Sequence, residues 1–169
     1  MNPLALACRI GSVGVTFVAL VTSLFPHFVE VSYRRENDRA PVFEIYHSAW
    51  TSWGVLCCGL LAIAFFTAVT ALLVGFFEPL AAKILDFVAS VLLVLTALAL
   101  ALFVSTYGIE GNEYFVVGFG WSGIATLVLL VVAAALAVAA GVLTKVGPTR
   151  PGPAYIPHGA DATRGPVQR

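Results

Sequence analysis

Residues 80–104 read LAAKILDFVASVLLVLTALALALFV, a run in which only Lys83 and Asp86 carry charge. An α-helix rises 1.5 Å per residue, so about 20 apolar residues cross a hydrocarbon core some 30 Å thick. This run is long enough. Phe77-Glu78-Pro79 joins it to a second apolar run, Trp53–Phe77, and two more, Leu4–Phe25 and Phe119–Leu143, flank the pair. Among all four, the charges are Arg9, Lys83 and Asp86. The chain is 60% hydrophobic and 11% charged, whereas a soluble domain is about 25% charged. Four membrane crossings are therefore expected, in one domain over residues 1–147.

The turn between spans 2 and 3 is very short, which predicts a tight antiparallel helix pair. Pro79 suits a first helical turn because its missing N–H would have no partner there, and Glu78 before it complements the helix N-terminus. Span 1 lacks the basic leading segment and small-residue cleavage site of a signal peptide, so it is read as a mature helix.

Charge sets the expected orientation. The segments on the side of the termini carry Arg9, Lys83, Lys145, Arg150, Arg164 and Arg169; the other side carries Arg34, Arg35 and Arg39. Basic residues near span ends favour the cytoplasm, so both termini are expected there, in a plasma-membrane protein.

The outer loop 27–52 holds two partly alternating stretches, His27–Tyr33 and Val42–Tyr46, around a polar turn centred on Asn37 and Asp38. That pattern predicts a β-hairpin. Symmetric closure about Asn37 sets Val29 opposite Ile45 and Val31 opposite Phe43, and gathers these four into one apolar face and candidate interaction hairpin. It also sets Glu30 opposite Glu44, a repulsive pair that a two-residue slip relieves. Tyr114–Val117 can add a third strand. Tyr46, Trp50, Trp53, Tyr107, Tyr114 and Trp121 read as an aromatic belt at the outer interface, a depth that suits rings with a polar handle. The fold class expected is thus an all-α membrane protein, a four-transmembrane-helix bundle with an extracytoplasmic β-hairpin between helices 1 and 2. Residues 148–169, rich in Pro and Gly, read as a disordered cytoplasmic tail, within which Pro151–Pro157 can also serve as a short recognition peptide.

Candidates for chemistry are few. Asp86 lies about 10 Å into span 3, with Lys83 on the same face and Arg9 at similar depth. The plain reading is an ion pair of Asp86 with Lys83 or Arg9, the cation snorkelling to the interface; the sharper one is a proton or ion relay. Cys57 and Cys58 are adjacent and lack the C-x-x-C spacing of thiol oxidation, so they read as small core residues. No Cys/His cluster has zinc spacing; His27 and His47 meet at the hairpin base without further ligands. No G-x-S-x-G or phosphate-binding glycine loop occurs, and neither a cofactor nor an enzymatic activity is expected. Ala133, Ala137 and Gly141 form a small-residue stripe on span 4 that lets helices approach closely, and Gly11, Gly14, Gly59 and Ala62 offer further smooth patches.

Leu24-Phe-Pro26, the strand-like outer loop, Ser48-Ala-Trp50 and Gly118-Phe-Gly-Trp121 together resemble small, uncharacterised four-span membrane proteins of high-G+C bacteria. The order helix, hairpin, three helices is also similar to the claudin and peripheral-myelin-protein arrangement. That family carries W-GLW-C-C in its first loop; here Trp50 and Trp53-Gly54 precede Cys57 and Cys58, which fall inside the membrane, so the likeness is architectural. The function expected is that of a non-enzymatic accessory or scaffolding subunit, whose partners are the bilayer and either another membrane protein or further copies of itself, with no nucleic acid. The alternative is a small oligomeric transporter or channel using Asp86; lipid handling is a third reading.

Overall fold

In the computed structural model, residues 2–33, 43–51, 53–107 and 115–145 are described. The polar turn 34–41, Tyr114 and the tail 148–169 lie outside them. Four helices, α1 (Pro3–Ser23), α2 (Gly54–Val74), α3 (Pro79–Tyr107) and α4 (Trp121–Leu143), are each long and apolar enough to cross a membrane. A short 3-10 turn, Pro26–Phe28, leads from α1 into strand β1 (Val29–Tyr33), and β2 (Phe43–His47) and β3 (Phe115–Phe119) complete a small sheet.

The helix ends follow local chemistry. Asn2 caps α1: its side-chain oxygen accepts from the Leu4 N–H at 3.1 Å, with Pro3 in the first turn. α2 stops at Val74, three residues before the expected bound, because Gly75–Glu78 wind into a turn in which the Phe77 and Glu78 N–H groups both reach Val74 O. α3 instead runs beyond 104. Ser105 and Thr106 return their hydroxyls to Leu102 O at 2.9 Å and so continue the helix despite their polarity. α4 starts at Trp121 since Phe119 belongs to β3.

The helices pack in a ring: α1 on α4, α4 on α3, α3 on α2 and α2 on α1. The buried positions step by threes and fours. On α1 they are Ala5, Arg9, Ser12, Thr16, Ala19 and Ser23; on α3, Ala82, Asp86, Ala89, Leu93, Thr96, Leu100 and Phe103, with Ser90 and Val104 buried beside them. A 3.5-residue repeat of this kind is the seam of a left-handed bundle. Small and hydroxylated residues fill much of the seams, while Leu56, Phe66 and Phe77 point outward, 72%, 65% and 85% exposed. A water-soluble bundle has the opposite arrangement. Close helix contact made through small residues suits lipid surroundings, where apolar burial between helices contributes little.

The Ala133–Ala137–Gly141 stripe serves this interior. Ala133 and Ala137 are fully buried, and Ser12 Oγ on α1 donates to Ala133 O at 3.1 Å. A Cβ on Gly141 would lie 3.2 Å from the Phe87 ring of α3. Of the other patches, Gly11 faces Leu136, but Gly14 and Gly59 have no neighbour within 4 Å of a built Cβ.

At the end opposite the termini the sheet has the order β2-β1-β3, all antiparallel. The third strand expected beside the hairpin is present as β3. The register, however, is slipped from the symmetric closure. Val29 pairs with His47, Val31 with Ile45 and Tyr33 with Phe43, so Glu30 faces Tyr46 rather than Glu44. That slip removes the like-charge pair. Val29, Val31, Val117 and Phe119 pack on the helix core. Val29 is completely buried and offers no outer surface, while Ile45, on the edge strand, is 45% exposed.

Candidate functional site

The charged residues within the helices come together at the termini end. Arg9 is the seventh residue of α1 and Asp86 the eighth of α3, each about 10 Å from its helix start. α1 and α3 stand across the ring from each other, yet these side chains meet in its middle. Arg9 Nε lies 3.1 and 3.0 Å from the two Asp86 oxygens, and Nη2 lies 2.6 Å from Oδ2. Both carboxylate oxygens are thus engaged in a fork of charge-assisted bonds. Lys83, one turn earlier on α3, sits off the buried seam and takes no part in the ion pair. The expected snorkelling is also corrected, since the Arg9 and Asp86 side chains are only 1% and 3% exposed. With its partner at the same depth, Arg9 has no need to reach the interface.

The other two helices contribute their ends. Thr144, which caps α4, donates its hydroxyl to Ala140 O at 2.8 Å and accepts from Arg9 Nη2 at 2.9 Å. Gly75, which caps α2, lies so close that a Cβ there would collide with Arg9 Nη1. A cation beside two helix C-termini is favoured by the carbonyl dipoles that converge there. One guanidinium therefore ties α1 to α3 and α4 while lying against the end of α2. Sequence reasoning missed Thr144 and Gly75, whose residue types carry no special signal. The seam spacing of Arg9 with Ser12, Thr16 and Ser23 was the available clue that Arg9 faces inward.

Beneath this clasp a cavity of about 580 Å³ opens at the termini end, lined by Asn2, Pro3, Arg9, Gly75, Phe76, Pro79, Thr144 and Lys145. Asn2 Nδ2 donates to Leu143 O at 3.3 Å and holds the two termini of the bundle side by side.

The sheet end is aromatic. Tyr46, Trp50, Trp53 and Trp121 are all partly exposed there. The His27 ring is tilted against those of Tyr46 and Trp121, with centroids 4.4 and 6.2 Å away, and the slipped register sets His47 opposite Val29. Trp53 meets Phe103 edge-on at 5.1 Å, and Trp50 Nε1 donates to Ser23 Oγ at 3.1 Å. Tyr46 hydroxyl donates to Glu44 Oε2 at 2.5 Å. That bond, with the nearby negative charge of Glu44 and Glu30, holds the phenol above its ordinary pKa of 10.0.

Cys57 and Cys58 are buried, Cys8 is half-buried, and all three are free thiols. No group of three or more His, Cys, Asp or Glu side chains among the described residues can hold a metal ion. Ser122 Oγ, buried in the first turn of α4, has no hydrogen-bond partner among the described residues. Against known proteins, no family model matches the chain and no curated protein is significantly similar to it.

Proposed function

We propose that this chain is a multi-pass plasma-membrane protein with both termini cytoplasmic, acting as a non-enzymatic accessory or scaffolding subunit of a larger membrane assembly. The observation that carries the reading is the engagement of Asp86. Both of its oxygens are held by Arg9 inside the bundle, so Asp86 is not a lone carboxylate poised to accept and release an ion. Ser12, Thr16, Thr96 and Thr126 in turn donate their hydroxyls to backbone carbonyls within the bundle. The Ser12 bond joins α1 to α4, whereas Thr16, Thr96 and Thr126 donate to carbonyls four residues earlier in their own helices, so these hydroxyls are satisfied within the bundle. Contacts with a partner fall to the sheet end, where edge strand β2 presents Glu44, Ile45 and Tyr46 on the surface.

Asp86→Asn, followed by both membrane abundance and ion or solute flux, tests the assignment. Loss of abundance is expected; normal abundance with lost flux would instead identify a transporter or channel that uses Asp86. Purification in mild detergent, with identification of co-purifying proteins, tests the subunit role. A stoichiometric membrane partner or a discrete homo-oligomer is expected, and recovery as a lone monomer counts against it.

A further inference from the structure

We propose that the outer edge of strand β2 docks a second copy of this chain, the two β2 strands pairing antiparallel about Ile45. The proposal rests on the subunit reading above in its homo-oligomeric form, and names the surface that joins the copies.

The two edges of the sheet differ. β1 lies in the middle, so β2 and β3 each have one side on which no described strand pairs. β3 packs against α3 and α4, whereas β2 packs against β1 and the Pro26–Phe28 turn. Glu44, Ile45 and Tyr46 are all exposed. Ile45 shares the face of Val31, which packs on the helices, yet remains 45% exposed. An edge strand presents a row of backbone N–H and C=O groups on which another strand can form, and proteins commonly blunt it with Pro, Lys or a bulge. β2, Phe43-Glu-Ile-Tyr-His47, contains no Pro or Lys and pairs with β1 residue for residue, without a bulge. Its Phe, Ile and Tyr favour the extended chain.

Self-complementarity decides the occupant. Two copies of one strand related by a two-fold axis pair antiparallel, and the residue on the axis faces itself. With Glu44 on the axis, two carboxylates would meet, a repulsive pair. With Tyr46 there, the strands would overlap only in part. With Ile45 on the axis all five residues of β2 pair: Phe43 with His47, Glu44 with Tyr46, and Ile45 with its own copy. This register covers the exposed Ile45 side chains with each other. It also sets each Glu44 carboxylate directly opposite the other copy's Tyr46, on the same face, at a separation where cross-strand side chains interact. Within one chain the Tyr46 hydroxyl already donates to Glu44 at 2.5 Å, so donor and acceptor are matched in kind. β2 therefore carries its own complement, and pairing would join two three-stranded sheets into one.

The test uses full-length chains bearing two different affinity tags, co-expressed, extracted in mild detergent and isolated through one tag while retention of the other is measured. Co-retention is expected for the unaltered chain. Ile45→Lys on both copies, or Ile45→Glu on both, should lower it about fivefold, because an apolar cross-strand pair is lost and like charges meet on the axis. One Ile45→Lys copy mixed with one Ile45→Glu copy should restore it, since opposite charges then meet; the rescue also shows that both variants fold. Unchanged co-retention in both single variants overturns the edge pairing and leaves the subunit reading standing. Loss in each variant with no rescue in the mixture, both chains being monodisperse, overturns the pairing about Ile45. Isolation with a stoichiometric membrane protein of different sequence, and no second copy, overturns this inference alone. A lone monomer overturns both.

Discussion

The two ends of the bundle are closed by different physics. At the termini end one long side chain reaches across the ring, and Arg9, Asp86 and Thr144 join three helices through directed, charge-assisted bonds. At the sheet end the closure is one of shape. The backbone around His27 and Phe28 is pressed against the start of α4, where a Cβ on Gly120 would collide with His27 O and one on Gly123 would lie 2.5 Å from Phe28 O. Gly120 N–H also donates to Phe28 O at 3.0 Å. The first closure depends on two residues being complementary, the second on a side chain being absent. A charge pair fails when either member is lost, whereas a shape contact fails when something is added.

The largest effect should come from unbalancing the charged end. Asp86→Asn leaves Arg9 buried without its counter-charge and should lower stability by about 3–5 kcal/mol, seen as lost thermal stability in detergent. Pairing Arg9→Met with Asp86→Leu removes both charges together and should recover most of that loss, because an apolar pair of similar volume is often neutral. If the double variant is as damaged as the single one, the clasp holds by geometry as well as by charge, and the contrast between the ends weakens. Gly123→Ala probes the other end. The new Cβ would press on Phe28 O and the Phe119 ring, with an expected cost of about 1–3 kcal/mol. Gly14→Ala is its control: nothing lies within 4 Å, so the same change on α1 should be neutral or stabilise by about 0.5–1 kcal/mol.

Smaller effects refine the picture of the sheet end. Trp50→Phe keeps an aromatic ring, though a smaller one, but deletes the bond to Ser23 Oγ, and should cost about 0.5–1.5 kcal/mol. Tyr46 should titrate above 10.0, because its hydrogen bond to Glu44 and the neighbouring carboxylates favour the neutral phenol. A folded-state pKa raised above the unfolded value contributes stability below pH 10 that is lost as pH rises through the folded value. Glu44→Gln should therefore shift the Tyr46 absorbance titration downward.

The four helices were legible because span length and apolar content are set by each segment alone. The Arg9–Asp86 pair was legible only as one of two options. Lys83 is nearer to Asp86 in sequence, and nothing in the local pattern says that α1 and α3 face each other across the ring. The hairpin register had the same character. The clash of Glu30 with Glu44 flagged the symmetric closure as unfavourable, but a two-residue slip in either direction keeps each side chain on its face, so alternation alone could not choose the observed pairing of Val29 with His47. The small-residue stripe on α4 was visible, while its direction was not. Ala133 and Gly141 point inward because α1 and α3 approach there, and Gly14 and Gly59 look equally smooth yet meet nothing. Thr144 and Gly75 gave no signal at all, since their roles come from where Arg9 ends, 135 residues before Thr144 in the chain.

The clasp also has a consequence for the order in which the chain is made. Arg9 emerges from the ribosome 77 residues ahead of Asp86, a delay of roughly 4–15 s at 5–20 residues per second. Throughout that interval α1 carries a cation without its counter-charge. The charge withdraws into the bundle once α3 has arrived, and its last bond waits for Thr144. A chain cut short before α3 would lack Asp86, so the Arg9–Asp86 clasp can close only after α3 has been made.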